Sequence, residues 1–169
     1  MAGVKVPLGQ IPVPSPDITR VETVHRDGTL TIRFEFFRDG GMWRGGVVFP
    51  GVRAIAWRAE GHCTSWHIQG AYDTIAEVTD SGWIDELHKA EQPESWRVGG
   101  WMIHHFMLYL DSEGCYEVAA ESWTLLPEEY IGPATVKVWT REDGVRAAAE
   151  RTARRKGLSG PADGGKAGQ

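Results

Sequence analysis

Between Thr29 and Phe37 the chain alternates strictly, with Leu30, Ile32, Phe34 and Phe36 on one side and Thr31, Arg33 and Glu35 on the other. Period two, rich in β-branched and aromatic residues, predicts a half-buried strand. Asp39, Gly40 and Gly41 read as a turn, and the apolar stretch from Gly46 to Ala59 reads as two short strands broken at Pro50-Gly51. Trp66 to Val78 reads as another strand, bent at Gly70. The period then changes. Thr79-Asp80-Ser81 offers N-cap chemistry, Trp83, Ile84 and Leu87 follow at helical spacing, and Asp85 and Glu86 fall near the positive end of that short helix. Trp101–Leu110 and Cys115–Leu125, flanking Asp111-Ser112-Glu113-Gly114, predict a hairpin with a four-residue loop. Ala134 to Thr140 reads as a last strand.

The two ends differ from this body. Pro7, Pro12, Pro14 and Pro16 stand in the first twenty residues, and proline lacks a backbone donor, so an extended arm is expected there. From Arg146 good helix formers carry no apolar stripe beyond alanine, and a Gly-rich polar end follows. The expected organisation is an arm over 1–20, one domain over 21–145 and a basic, largely disordered tail over 146–169. The expected class is α+β, a mainly antiparallel sheet with one short inserted helix and a C-terminal helix. A length of 169 residues suits a single core. No apolar run approaches the roughly 18–20 residues that span a bilayer, and the first residues lack the order of a secretory signal. Two cysteines are too few for a disulfide scaffold. A cytoplasmic protein with reduced thiols is the expectation.

Charge changes the picture. The net value is −5, which disfavours a uniformly basic nucleic-acid binder. Residues 71–130 carry 13 acids against Lys89 and Arg97, or −11, whereas the tail from Arg146 carries +4. An acidic surface steers a basic partner and raises its on-rate. The plainer alternative is a solvated surface kept charged for solubility, and a third is a basic tail folded back onto the body. Eight of the 17 aromatic residues are Trp, which suits core and rim packing or an anchor-rich interface.

Candidate chemistry gathers on the hairpin. With a four-residue loop, Leu108 faces Glu117, Phe106 faces Ala119 and His104 faces Glu121. Glu117 and Glu121 then share a face about 13 Å apart. A His–Glu pair there reads either as an acid/base pocket of Glu117, Glu121 and His104 or as a structural ion pair at the sheet rim. A one-residue slip in pairing changes this set. His62, Cys63 and His67 lack the paired spacing of a zinc site, and neither Cys63 nor His105, beside His104, has a partner fixed by sequence. No metal and no cofactor are expected. Dinucleotide, Walker A and GxSxG signatures are absent.

Three segments, GVRAIAWRAEGHCTSW, AYDTIAEVTDSGWIDEL and HHFMLYLDSEGCYEVAAESWTL, occur in this order. Over about residues 28–126 the chain resembles small bacterial proteins with a "D-S-x-W-I-x-x-L" helix start and an "F-x-x-Y-x-D-x-x-G-x-x-E-V-x-A-E-S" hairpin. Matching positions are Asp80, Ser81, Trp83, Ile84 and Leu87, then Phe106, Tyr109, Asp111, Gly114, Glu117, Val118, Ala120, Glu121 and Ser122. Some proteins of this kind act as immunity proteins of toxin systems, so the resemblance implies a non-catalytic inhibitor of a basic toxin or nuclease. Its expected contact residues are Asp80, Trp83, Asp85 and Glu86 at the helix, and Asp111 and Glu113 at the hairpin tip. The alternatives are a small enzyme or ligand-binding protein built on the hairpin pocket, and an accessory subunit of a larger assembly.

Overall fold

The computed structural model describes residues 3–90 and 102–133. Their elements are β1 (Val4–Gln10), β2 (Ile18–Arg26), β3 (Thr29–Arg38), β4 (Gly41–Phe49), β5 (Ala54–Arg58), α1 (Ser65–Ile68), β6 (Thr74–Thr79), α2 (Gly82–Ala90), β7 (His104–Leu110), β8 (Gly114–Ala120), β9 (Thr124–Leu125) and β10 (Glu129–Pro133). The structure is therefore mainly antiparallel sheet with few helices. The expected last strand, C-terminal helix and basic tail lie outside the described residues.

Two sheets divide the strands. The first runs β1-β6-β7-β8-β5; the second runs β10-β4-β3-β2, with β9 also paired to β4. Alternation explains how they meet. Leu30, Ile32, Phe34 and Phe36 of β3, with Val47 and Phe49 of β4, form one core cluster with Ile75, Phe106, Leu108, Tyr116 and Val118 of the first sheet. The rings of Phe49 and Phe106 meet between the sheets at 5.7 Å. The first sheet is also covered on its other side, where Ala76, Val78, Met107, Tyr109 and Cys115 pack with Trp66 and Ile68 of α1. Both faces of β7 and β8 are thus buried, and every residue from His105 to Leu110 is inaccessible.

That double burial corrects the hairpin. When both faces of a strand are apolar, the hydrophobic pattern no longer selects a register, and turn geometry decides. The loop holds three residues, because Gly114 joins the ladder opposite Leu110. Glu113 N–H donates to Leu110 C=O at 3.2 Å, and Ser112 takes a left-handed φ of 64°. Gly114 is required there. Its φ is 111°, and a Cβ would lie 2.1 Å from the Arg58 carbonyl oxygen of the neighbouring strand. The whole register moves by one residue: Met107, not Leu108, opposes Glu117, and His104 opposes Ala120 rather than Glu121.

Two further expectations change. The proline-rich segment is extended, but it is not a free arm. Val4–Gln10 pairs with β6 at the sheet edge, Ile11 and Val13 enter the core, and the buried Ser15 Oγ accepts the Asp111 N–H at 2.9 Å. Pro7 and the register break between Pro7 and Gly9 suit an edge strand, where a missing donor costs no ladder bond. The stretch expected as one strand from Trp66 opens instead as α1, followed by a turn at Gly70 and then β6. Thr64 redirects it: its N–H donates to the His67 ring and its C=O accepts the His67 N–H, so the chain closes a helical turn.

Candidate functional site

Moving the hairpin by one residue puts a different histidine beside Glu117. Residues His105, Met107, Cys115 and Glu117 share the face of the first sheet that α1 covers, whereas His104 turns to the opposite face with Phe106. His104 Nδ1 lies 2.6 Å from Glu77 Oε1, and its ring stacks on Phe106. Glu121 sits beyond the end of β8 and faces Arg53 at 3.4 Å. The expected trio of Glu117, Glu121 and His104 is therefore not assembled; Glu117 alone of the three reaches the site.

Around Glu117 the structure gathers residues distant in sequence. His105 Nε2 is 3.3 Å from its Oε2, while His67 Nε2 and Arg58 Nη2 lie 4.0 and 3.9 Å from its Oε1. The local folding explains both imidazole orientations. Ser81 precedes α2 and accepts the Ile84 N–H on its Oγ at 3.3 Å, as an N-cap does. Its hydroxyl lies 2.8 Å from His105 Nδ1. Thr64 N–H donates to His67 Nδ1 at 3.0 Å. The His67 Nδ1 is therefore an acceptor, and its Nε2 carries the proton.

This protonation pattern bears on metal chemistry. A neutral imidazole binds a metal through an unprotonated nitrogen, and a backbone N–H donating into His67 Nδ1 forces the proton onto Nε2. Among the described residues no group of three or more His, Cys, Asp or Glu is arranged for a metal.

Electrostatics follow the geometry. A side-chain hydrogen bond with His105 is the chief cause that holds Glu117 below the usual carboxylate range; burial opposes it, and the charges of His105, His67 and Arg58 assist. Burial, helped by Arg58, pushes His67 below its ordinary value. Cys115, in the core beside them, is pushed up to about 12 by burial, which leaves a protonated and unreactive thiol. Cys63 Sγ faces the carbonyls of Arg58 and Ala59, both at 3.5 Å. Among the described residues no base is hydrogen-bonded to it.

A cavity of about 250 Å³ opens above this group, between α1 and α2. Its walls are the half-buried indoles of Trp66 and Trp83, and its floor is Val78, His105 and Glu117. Trp83 meets the His105 ring edge-on at 4.9 Å, and the Lys5 ammonium lies 4.4 Å from the Trp66 ring centre. His105 is only 4% exposed, and its Nε2 is shut off from solvent 3.3 Å from Glu117 Oε2. Sequence reasoning missed His105, His67, Ser81 and Trp66 as site members. The strict signal for His105 was one-residue register, which the hairpin text alone did not carry.

The expected contact charges divide. Asp80, Asp85 and Glu86 are exposed at and around α2, with Trp83 on the cleft wall. Asp111 and Glu113 are half-buried at the far end of β7, about 20 Å away at the strand rise, and the backbone of Asp111 is tied to Ser15. Part of the acidic run is also met by cations from the first half of the chain: Glu117 by Arg58, Glu121 by Arg53 and Glu128 by Arg38. Three acids of the run are thus paired with arginines. Comparison with family models, curated proteins and solved structures gives no match for this chain.

Proposed function

We propose that the protein is a non-catalytic binding domain whose ligand site is the cleft between α1 and α2. One observation carries the reading: the cleft brings two half-buried indoles, Trp66 and Trp83, beside the ionised carboxylate of Glu117. Catalysis has weaker support. Ser81 accepts the Ile84 N–H as the cap of α2, and the buried thiol of Cys115 stays protonated.

A screen of small polar molecules by thermal shift tests the reading. A cleft ligand raises the Tm of the wild-type protein, and Glu117→Gln, which keeps the side-chain shape, abolishes the rise. If every stabilising compound acts equally on both proteins, the cleft is not the binding site.

The protein-partner reading keeps one supporting observation, the exposure of Asp80, Asp85 and Glu86 beside Trp83 on a single helix and its cap. In that reading an immunity-type inhibitor docks a basic toxin along α2, without the hairpin tip. Reversing Asp85 and Glu86 to Lys is expected to slow association with such a partner at least tenfold at low salt and to flatten its salt dependence. An unchanged on-rate and salt slope, followed by stopped flow, removes this reading.

A further inference from the structure

We propose that β5 is a dimerisation edge, on which a second copy of this chain adds its own β5, antiparallel and centred on Ala56. β8 pairs with β5 on one side, and among the described residues no strand pairs with it on the other. The backbone groups of that open side are a template for a further strand. Four of the five residues are exposed, among them Ile55 at 38% and Trp57 at 56%. Ile55 stands opposite Val118 and Trp57 opposite Tyr116, two core residues, so the pair carries the face of the core out to the sheet edge. The other sheet edges are blunted. β1 has Pro7 and a break in register, β2 carries Arg20, Glu22 and Arg26, and β10 has Glu129, Pro133 and a break of its own. β5 has no proline, and its register with β8 runs unbroken. Its one charged residue, Arg58, is the last of the strand and lies 3.9 Å from Glu117. Prolines, charges and bulges keep an edge from meeting another chain, and an apolar edge without them fits one that is covered in the assembled protein.

A second copy is the occupant because β5 complements its own reverse. Pairing about Ala56 sets Ile55 against Trp57 of the second copy, twice over, an aromatic on a β-branched residue on one continuous face. Ala56 meets Ala56 at the dyad, where no bulk obstructs the approach, and the long Arg58 meets the small Ala54. Charge argues the same way. Arg53 precedes β5 and Glu60 follows it, so antiparallel strands join unlike ends, whereas parallel ones set Arg53 and Arg58 against themselves. The pairing also closes. Two five-stranded sheets become one that ends on β1 at both sides, where Pro7 blunts further addition. Five residues a side fall short of the roughly 20–30 of a standard interface, so the dimer is weak, with a Kd on the order of 100 µM.

Sedimentation equilibrium of the full chain, from about 5 µM to about 1 mM, tests the proposal. The wild-type protein is expected to pass from monomer to dimer as concentration rises, and no further. Ile55→Lys and Trp57→Lys are each expected to weaken the dimer at least tenfold, with a Tm within about 3 °C of wild type as the check on folding. Val6→Lys and Phe37→Lys, at exposed apolar positions of other strands, are expected to leave it unchanged. Cross-linking in a Cys63→Ser background reads the register without relying on the lysine variants. Directly opposed residues of antiparallel strands stand about 4.5–5.5 Å apart between Cα atoms, within disulfide reach. Ala56→Cys is therefore expected to give a disulfide-linked dimer under mild oxidation, and Ala54→Cys, about 13 Å from its own copy, is not. A wild-type chain that stays monomeric throughout overturns the proposal and leaves β5 to a strand of another protein. Association that Ile55→Lys and Trp57→Lys both leave intact overturns it too, as does association that Val6→Lys removes, which moves the contact to β1. Cross-linking of Ala54→Cys as readily as Ala56→Cys overturns the self-complementary register and the choice of occupant with it.

Discussion

Replacing Phe49 by alanine is expected to cost about 3–5 kcal/mol, the range for removing a large aromatic ring from a close-packed core. Phe49 ends β4, is 1% exposed and touches Phe106 across the gap between the sheets. Removing the ring deletes apolar area and leaves a cavity lined from both sides, where neither sheet can close in without breaking its own ladder. Domains of this size hold about 5–15 kcal/mol in all, so the variant sits near the edge of folding. A drop in Tm on the order of 10 °C is expected in a thermal melt, with a matching fall in the urea midpoint. Phe37→Ala serves as the control, since Phe37 is exposed in the adjoining strand and its loss is expected to change stability by about 0.5 kcal/mol or less. Equal effects of the two substitutions contradict the two-sheet core.

The strand that carries this core was legible because one of its faces is wet. Leu30, Ile32, Phe34 and Phe36 alternate with Thr31, Arg33 and Glu35, and the structure buries the first set while leaving Arg33 exposed. The α2 helix was legible for a similar reason, with an acidic start and apolar spacing at 3.6. Its predecessor was not. Ile18–Arg26 went unread as a strand, although Asp27-Gly28 is a two-residue turn of the kind that closes hairpins, with φ of 50° and 71°. The polar composition of β2 hid it, because it lies at a sheet edge and is largely exposed. The opening of the Trp66 segment as a helix was hidden for another reason: a side chain, His67, takes a backbone donor that a strand would have used.

The site was legible only in part, and the missing part has one cause. Glu117 stood out as a carboxylate in a strand of apolar residues, and it is the residue on which the site turns. Which histidine joins it depends on the parity of the hairpin, and with both faces of β7 buried the text offered no parity signal. Trp66, Ser81 and His67 stand 36–51 residues before Glu117, and only the fold joins them. Charge read along the chain also leaves out which acids are paired. The strongly acidic stretch of residues 71–130 is a fact of sequence, but the antiparallel sheets bring Arg38, Arg53 and Arg58 from the more basic first half against it.

Acid is expected to remove stability in two stages, one set by Glu117 and the other by His67 beside it. His67 is held below its ordinary value of 6.5 by burial and by Arg58, so the folded protein keeps it neutral. Above 6.5 both folded and unfolded chains leave this ring neutral and its contribution is complete. As pH falls below 6.5 the unfolded chain takes up a proton that the folded chain refuses, and stability declines until the folded His67 itself titrates. Glu117 is held below its ordinary value of 4.5, chiefly by a side-chain hydrogen bond with His105, so its contribution is complete above 4.5 and is lost as pH falls through the lower folded value. Each tenfold difference in proton affinity between the two states is worth about 1.4 kcal/mol. Urea midpoints measured from pH 8 to pH 3 are therefore expected to stay flat to about 7, slope downward between 6.5 and 4.5, and steepen below 4.5. Glu117→Gln separates the stages. It removes the acidic one, and because Glu117 is the one influence that raises the His67 value, its loss drives His67 lower and deepens the decline between 6.5 and 4.5. A variant that keeps the acidic stage shows that Glu117 does not set it, and one that flattens the upper stage shows that Glu117 and His67 are not coupled.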